Sequence, residues 1–302
     1  MSHSDGSTRA ILYALAANGG IAIAKGAAAW YTNSSAMLAE CIHSAADCIN
    51  QVLLLVGMKH AQRAPTESHP LGYGKAVYFW SFLVAILLFS MGGMFSIYEG
   101  VHKLQQPEMP SSPWVAVAVL AVSILLEWGS LTGAVIEVNK VKGQRTLWRW
   151  FRESRQSELI VVVGEDIAAL AGLVLALGAV LLTIYTGNPV YDALGTIAIG
   201  AVLIIVAVTV SIEVKSLLIG ESADPQVQGA MREFLVARTE VAEVYRMITL
   251  QLGGDLMVSV KARMEEAHSA PQLVADINNV ESAFRRQFPQ VRWMFFEPDH
   301  HD

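Results

Sequence analysis

Glu40, His43 and Asp47 are three ionisable side chains inside one apolar, helix-length stretch, Glu40-Cys-Ile-His-Ser-Ala-Ala-Asp47. At about 100° per residue they fall within about 60° of one another, so a helix presents all three on one stripe. A charge at bilayer depth costs roughly 2.5–3.5 kcal/mol on insertion scales, and three on one stripe need compensation. A divalent metal ion with imidazole and carboxylate ligands supplies it. A second apolar stretch, Ile160-Val-Val-Val-Gly-Glu-Asp-Ile-Ala-Ala, adds Glu165 and Asp166.

Zinc-like ions take nitrogen and oxygen donors in a tetrahedral array, and two helices each offering a pair one turn apart can build it. His43 and Asp47, at i and i+4, form such a pair. The other polar residues at membrane depth are Asn18, Lys25 and Glu127, with Asp192 at the edge of a span. Two readings stand for them. A buried carboxylate can pair with Lys25 or stay protonated, and Asn18 and Glu127 suit either helix packing or a proton relay. Asp192, close to water, suits a helix cap. Cys41 and Cys48 lie two turns apart, roughly 10 Å in rise and too far for a mutual disulfide, and read as packing residues.

The elements that must carry these residues follow from composition. Of 302 residues 53% are hydrophobic and only 16% charged, with a mean hydropathy of +0.42, which is too apolar for an ordinary soluble domain. Six segments, near 9–31, 35–59, 76–104, 113–139, 158–185 and 189–217, are long enough to span about 30 Å of hydrocarbon as helices. Turn chemistries such as Gly187-Asn188-Pro189 separate them. Lys59, Arg63 and Lys75 lie in one loop, and Lys140, Lys142, Arg145, Arg149, Arg152 and Arg155 in another, so both termini are expected on the cytoplasmic side. The polar N-terminus lacks the zones of a cleavable signal, and the net charge of −6 gives no support to nucleic-acid binding. Trp148-Arg-Trp-Phe-Arg152 reads either as a helix on the membrane surface or as a topology signal with interfacial aromatics.

Residues 221–302 read as a water-soluble αββαβ module. Val227, Met231, Phe234 and Leu235 share a helical face. Ile248, Leu250 and Leu252 alternate, Gly253-Gly254 turns the chain, and Leu256, Val258, Val260 and Ala262 alternate again as a hairpin. Leu273, Ile277, Val280, Phe284 and Phe288 mark a second helix, and Val291 to Phe296 a last strand. The expected fold is an α-helical membrane protein, 1–220, with six transmembrane helices, followed by a small cytoplasmic α/β ferredoxin-like (αββαβ) domain, 221–302. The closing Asp299-His-His-Asp302 reads as a disordered polar tail, or as a weak metal binder.

The chain resembles the cation diffusion facilitators, proton-coupled exporters of divalent metals. The resemblance rests on Ser35-Ala-Met-Leu-Ala-Glu-Cys-Ile-His-Ser-Ala-Ala-Asp47, His69-Pro-Leu-Gly-Tyr-Gly-Lys75, Gly187-Asn-Pro-Val-Tyr-Asp192 and Phe295-Phe-Glu-Pro298, in order along nearly the whole chain. Asn50-Gln51 and Glu165-Asp166-x-Ala-Ala resemble the branch that contains the mitochondrial and nuclear zinc transporter of animals. The resemblance implies six membrane helices, a cytoplasmic ferredoxin-like domain, a homodimer and no enzymatic activity or cofactor. It implies a transport site of two His/Asp-x-x-x-Asp pairs, onto which His43, Asp47 and Asp166 map; the fourth position holds Val162. Glu165, about 60° around the helix from 162, or Glu40 offers a substitute. Such an oxygen-rich site admits Mn²⁺, Fe²⁺ or Co²⁺ beside Zn²⁺. In the loop after the second span His69 remains as a weaker metal candidate, Tyr73 stands at a usual histidine position, and Glu67 is a helper at most. Lys261 and Phe295 occupy strand positions that usually carry metal ligands, so dimerisation with little or no bound metal is expected. The resemblance implies proton-coupled antiport of Zn²⁺, with Mn²⁺, Fe²⁺ or Co²⁺ as other cargoes; the polar N-terminus, unlike a transit peptide, leads to the expectation of a bacterial cytoplasmic membrane. A non-transporting metal-binding regulator, a passive channel and an intramembrane hydrolase using Asp47 and Asp166 are the rivals.

Overall fold

The computed structural model describes residues 3–32, 35–106, 109, 112–266 and 269–301, with side chains described except at 3–6, 28–29, 31–32 and 35–43. Helices α1 (His3–Thr32), α2 (Ser35–Ala61), α3 (Ala76–Leu87), α4 (Phe95–Gln105), α5 (Pro113–Val141), α6 (Leu147–Glu153), α7 (Ser157–Thr186) and α8 (Val190–Ile219) precede the smaller elements. Five stretches among the described residues are long and apolar enough to cross a membrane: within α1, in α5, α7 and α8, and over Ala76–Gln105. The second expected span is the continuous helix α2, which packs along α1.

The third span is not uniform. Between α3 and α4 the chain makes a π-helical stretch, Leu88–Met94. Wide turns of this kind occur frequently at functional sites. Elsewhere the local chemistry matches the boundaries. Gly187 adopts φ +67° just past α7 and donates its N–H to Thr183, which ends the helix without Cβ strain. Pro113 opens α5, and the Thr146 hydroxyl caps α6 by accepting from Arg149 N–H.

The main membrane core gathers Ile11, Leu54, Tyr78, Trp150, Phe151 and the run Leu159–Val163. Five consecutive buried residues show that the start of α7 is surrounded on all sides, as the central helix of the bundle. Large apolar side chains such as Leu125, Trp128 and Ile205 stay exposed on the outside, as a lipid-facing surface requires. In α6, Trp150 and Phe151 enter the core while Trp148 remains exposed. The arginines of this loop are held by acids of the same chain: Arg152 by Glu213, Arg145 by Asp224, and Arg155 by Glu221.

After α8 come α9 (Pro225–Val236), β1 (Val241–Leu252), β2 (Asp255–Met264), α10 (Ala270–Gln287) and β3 (Val291–Pro298). The sheet order is β1-β2-β3, with β1 and β2 antiparallel and β2 and β3 parallel. Met231, Leu235, Val258, Val260, Val280 and Phe284 form its core. One expectation is corrected here. Ile248 is 53% exposed, so the alternating residues of β1 do not all face the helices. A register shift between Val244 and Arg246 exchanges the faces, because one extra residue reverses every later side chain. The tail expected to be disordered is tied down at Asp299 and His300. Asp299 N–H donates to Ala262, its carboxylate pairs with Lys261 at 2.9 Å, and the Tyr245 hydroxyl donates to the His300 carbonyl.

The hairpin tip touches the membrane bundle. Gly253 N–H donates to the buried Tyr78 hydroxyl at 3.1 Å. A Cβ at Gly74 would collide with the Leu252 carbonyl oxygen, so only glycine permits this approach.

Candidate functional site

Helices α2, α5 and α7 bring the polar residues together within the bundle. Glu165 and Asp166 are adjacent on α7 and almost wholly buried, at 4% and 1% exposure. Each is held by a different neighbour. Glu165 Oε1 accepts from Asn50 Nδ2 at 2.7 Å, and Oε2 accepts from Gln51 Nε2 at 2.8 Å. Asp166 Oδ2 accepts from the Ser130 hydroxyl of α5 at 3.0 Å, while its Oδ1 is buried with no hydrogen-bond partner among the described residues. An ionised carboxylate oxygen left unpaired in a low-dielectric interior is costly, and a cation beside it would remove the cost.

Asp47 is half-buried on α2 and lines a small cavity together with Asn50, Leu88, Met91 and Gly92. Its volume is about 20 Å³, enough for one water-sized occupant, which needs roughly 10–15 Å³. The far wall of this cavity is the π-helical turn of the third span. Asp166 stands within electrostatic reach of Asp47. Glu127 on α5 and Asn18 and Lys25 on α1 are also buried, and Glu127 lies within reach of Lys25, Asp47 and Asp166. The expected residues therefore share one polar zone. Among the described residues no three His, Cys, Asp or Glu side chains converge on a single ion position. Glu40 and His43 belong to α2 by their backbone, and their side chains lie outside the described residues.

Val162 is fully buried in the main core. One α7 turn before Asp166 thus presents packing rather than a donor. Asn50 and Gln51 are the site residues that residue-type reasoning passed over. Their signal was present, as two neutral amides buried beside a carboxylate-bearing stripe, but amides carry no charge that hydropathy would flag.

The remaining candidates sit elsewhere. His69 lies in the loop after α2, where its Nδ1 is 3.1 Å from Ser68 Oγ and its ring stacks on Tyr73 at 4.4 Å. His60 also stacks on Tyr73, at 5.6 Å. Asp192, expected as a cap, forms an ion pair with Lys103 at 3.0 Å and joins α4 to α8.

The family model for the cation efflux transmembrane domain matches residues 11–219. Metal tolerance protein C4 of Arabidopsis thaliana is 34% identical over 72% of this chain and 48% of its own length. The mitochondrial proton-coupled zinc antiporter SLC30A9 of Xenopus laevis is 33% identical over 74% of this chain and 41% of its own. The cation-efflux pump FieF of Klebsiella pneumoniae is 23% identical over 93% of this chain and 89% of its own. The chain thus spans less than half the length of the plant and animal relatives.

Proposed function

The chain belongs to the cation efflux family, and on that premise we propose that it is a proton-coupled antiporter moving divalent transition-metal ions out of the cytoplasm. Zn²⁺ is the foremost cargo, since the animal relatives are named as zinc antiporters, with Mn²⁺, Fe²⁺ or Co²⁺ accepted by a carboxylate-rich site. The observation that carries this reading is the Asp166 carboxylate, buried within the bundle with one oxygen unpaired among the described residues.

In this reading Asp47 and Asp166 hold the ion with His43, while Glu165 and Glu40 add negative charge beside it. Deprotonated ligands capture the metal from the cytoplasmic side. After the helices rock, protonation of the same groups competes with the metal and releases it. His69, in its exposed loop, is at most an entry ligand. Residues 1–220 form the transport domain and 221–302 the cytoplasmic domain, with both termini inside by the placement of basic loops. A second copy of the chain docks on the outer sheet face, where Ile248 and Phe295 lie 53% and 55% exposed on the two strands that flank β2, each in register with Ser259. A bacterial cytoplasmic membrane is the proposed location, since a cation-efflux pump of Klebsiella pneumoniae is among the relatives.

Proteoliposomes test the reading. Zn²⁺ uptake driven by a pH gradient should vanish for Asp47→Ala and for Asp166→Ala, and near-wild-type flux in either would end the assignment. The second reading, a metal-binding regulator without flux, is favoured by one observation, the burial of Val162 where a donor is expected. Calorimetric metal binding by a wild-type chain that carries no flux would select it.

A further inference from the structure

The proposed site has Asp166 from α7 but lacks a second donor there, because Val162 is packed into the core. Glu165 does not simply replace it, since each of its oxygens already accepts an amide hydrogen bond from α2. Those two bonds have a second consequence. In both bonds the amide NH₂ donates and a carboxylate oxygen accepts, so Asn50 and Gln51 both turn their NH₂ groups toward Glu165. Each amide carbonyl oxygen is thereby turned away from Glu165. The Gln51 oxygen is buried with no partner among the described residues. Asn50, only 6% exposed, lines the cavity beside Asp47, three residues along the same helix. With Nδ2 committed to Glu165, Oδ1 is the polar atom that Asn50 has left for that cavity.

We propose that Asn50 Oδ1 is the fourth donor of the transport site, with Glu165 as the positioning residue that fixes its orientation. The inference rests on the reading of Asp47 and Asp166 as ligands of a transported divalent ion. An amide carbonyl is a neutral, hard oxygen donor of the kind that suits Mn²⁺ and Ca²⁺ more than Zn²⁺. Asp47, Asn50 and Asp166 together make the site oxygen-rich, with His43 as its nitrogen donor. The cavity has room for one small ion, and the π-helical turn opposite supplies the space without adding charge.

The test uses the full chain in proteoliposomes, with pH-driven uptake of Zn²⁺ and of Mn²⁺ measured for wild type, Asn50→Ala, Asn50→Asp and Asn50→His. Asn50→Ala should raise the half-saturating metal concentration by about 10- to 100-fold. Asn50→Asp keeps an oxygen donor and should stay within about threefold of wild type on Mn²⁺. If Asn50 served only to hold Glu165, Asn50→Asp would set two carboxylates against each other and be the worse variant. That order, or an Asn50→Ala indistinguishable from wild type, overturns the proposal. Asn50→His should shift the Zn²⁺ over Mn²⁺ preference at least about tenfold toward Zn²⁺, a change that loss of fold alone does not produce. Failure of the wild-type chain to carry either ion would sink the carrier reading and this inference together. Wild-type flux that Asp47→Ala abolishes, with Asn50→Ala better than Asn50→Asp, sinks only the inference.

Discussion

Replacing Glu165 and Gln51 singly and together measures how strongly α2 is tied to α7. The carboxylate bridges the two helices through amides at 2.7 Å and 2.8 Å. Interhelical hydrogen bonds within membrane proteins average about 0.6 kcal/mol in double-mutant cycles. A bond to an ionised acceptor is roughly twice as strong as a neutral one. The coupling between Glu165 and Gln51 should therefore be about 1 kcal/mol. The single changes differ more. Gln51→Leu swaps one buried amide for an apolar group, whereas Glu165→Leu strands two amides, at about 1–3 kcal/mol each. Removal of a desolvated carboxylate offsets part of that loss. A cycle of wild type, Gln51→Leu, Glu165→Leu and the double variant subtracts these one-sided contributions. The readout is unfolding of the detergent-solubilised chain with rising SDS fraction, followed by tryptophan fluorescence. A coupling indistinguishable from zero refutes the clamp and removes the reason for Asn50 to point where it does.

Three further outcomes are expected. Gly74→Val forces a side chain into the Leu252 carbonyl, so the Gly253 amide, which donates to Tyr78, should lose protection from hydrogen exchange; unchanged protection would show that the hairpin tip does not depend on that contact. Ile248→Glu with Phe295→Glu should halve the particle mass seen by light scattering in detergent, and an unaltered mass would place the dimer elsewhere. The Asp299 carboxyl is held down at about 2, first by the Lys261 ammonium and then by the His300 N–H. Because the folded value lies below the ordinary one, this contribution is full above about pH 4 and is lost as pH falls through about 2. Exchange of residues 297–301, corrected for intrinsic rate, should rise across that window in wild type and already at neutral pH in Lys261→Gln. Equal exchange at pH 6 and pH 2 would count against the tether.

Much of this protein is legible without coordinates because two of its signals are local. Hydrocarbon thickness sets how long an apolar run must be, so the spans and the loops between them follow from composition along the chain. The cost of burying charge singles out Asp47, Glu165 and Asp166 by residue type alone, and the repeat of two along β2 identifies a strand with its core face. The outward turn of Ile248 escaped that logic, since a register shift in β1 depends on pairing with β2 rather than on the residues themselves. The tethered tail was hidden for the same reason: Asp299 is ordered by Lys261 and Ala262, residues far away in sequence.

The division at the site is sharper still. Sequence determined that carboxylates lie at membrane depth on two helices, because each side chain's transfer cost is its own property. Which oxygens of those carboxylates are occupied was decided only by tertiary structure. Asn50 and Gln51 meet Glu165 from 115 and 114 residues away, and Ser130 meets Asp166 from 36 residues away. Hydrogen bonds are directional and pairwise, so they exist only once the helices are packed, and among the described residues they leave Asp166 Oδ1 unpaired.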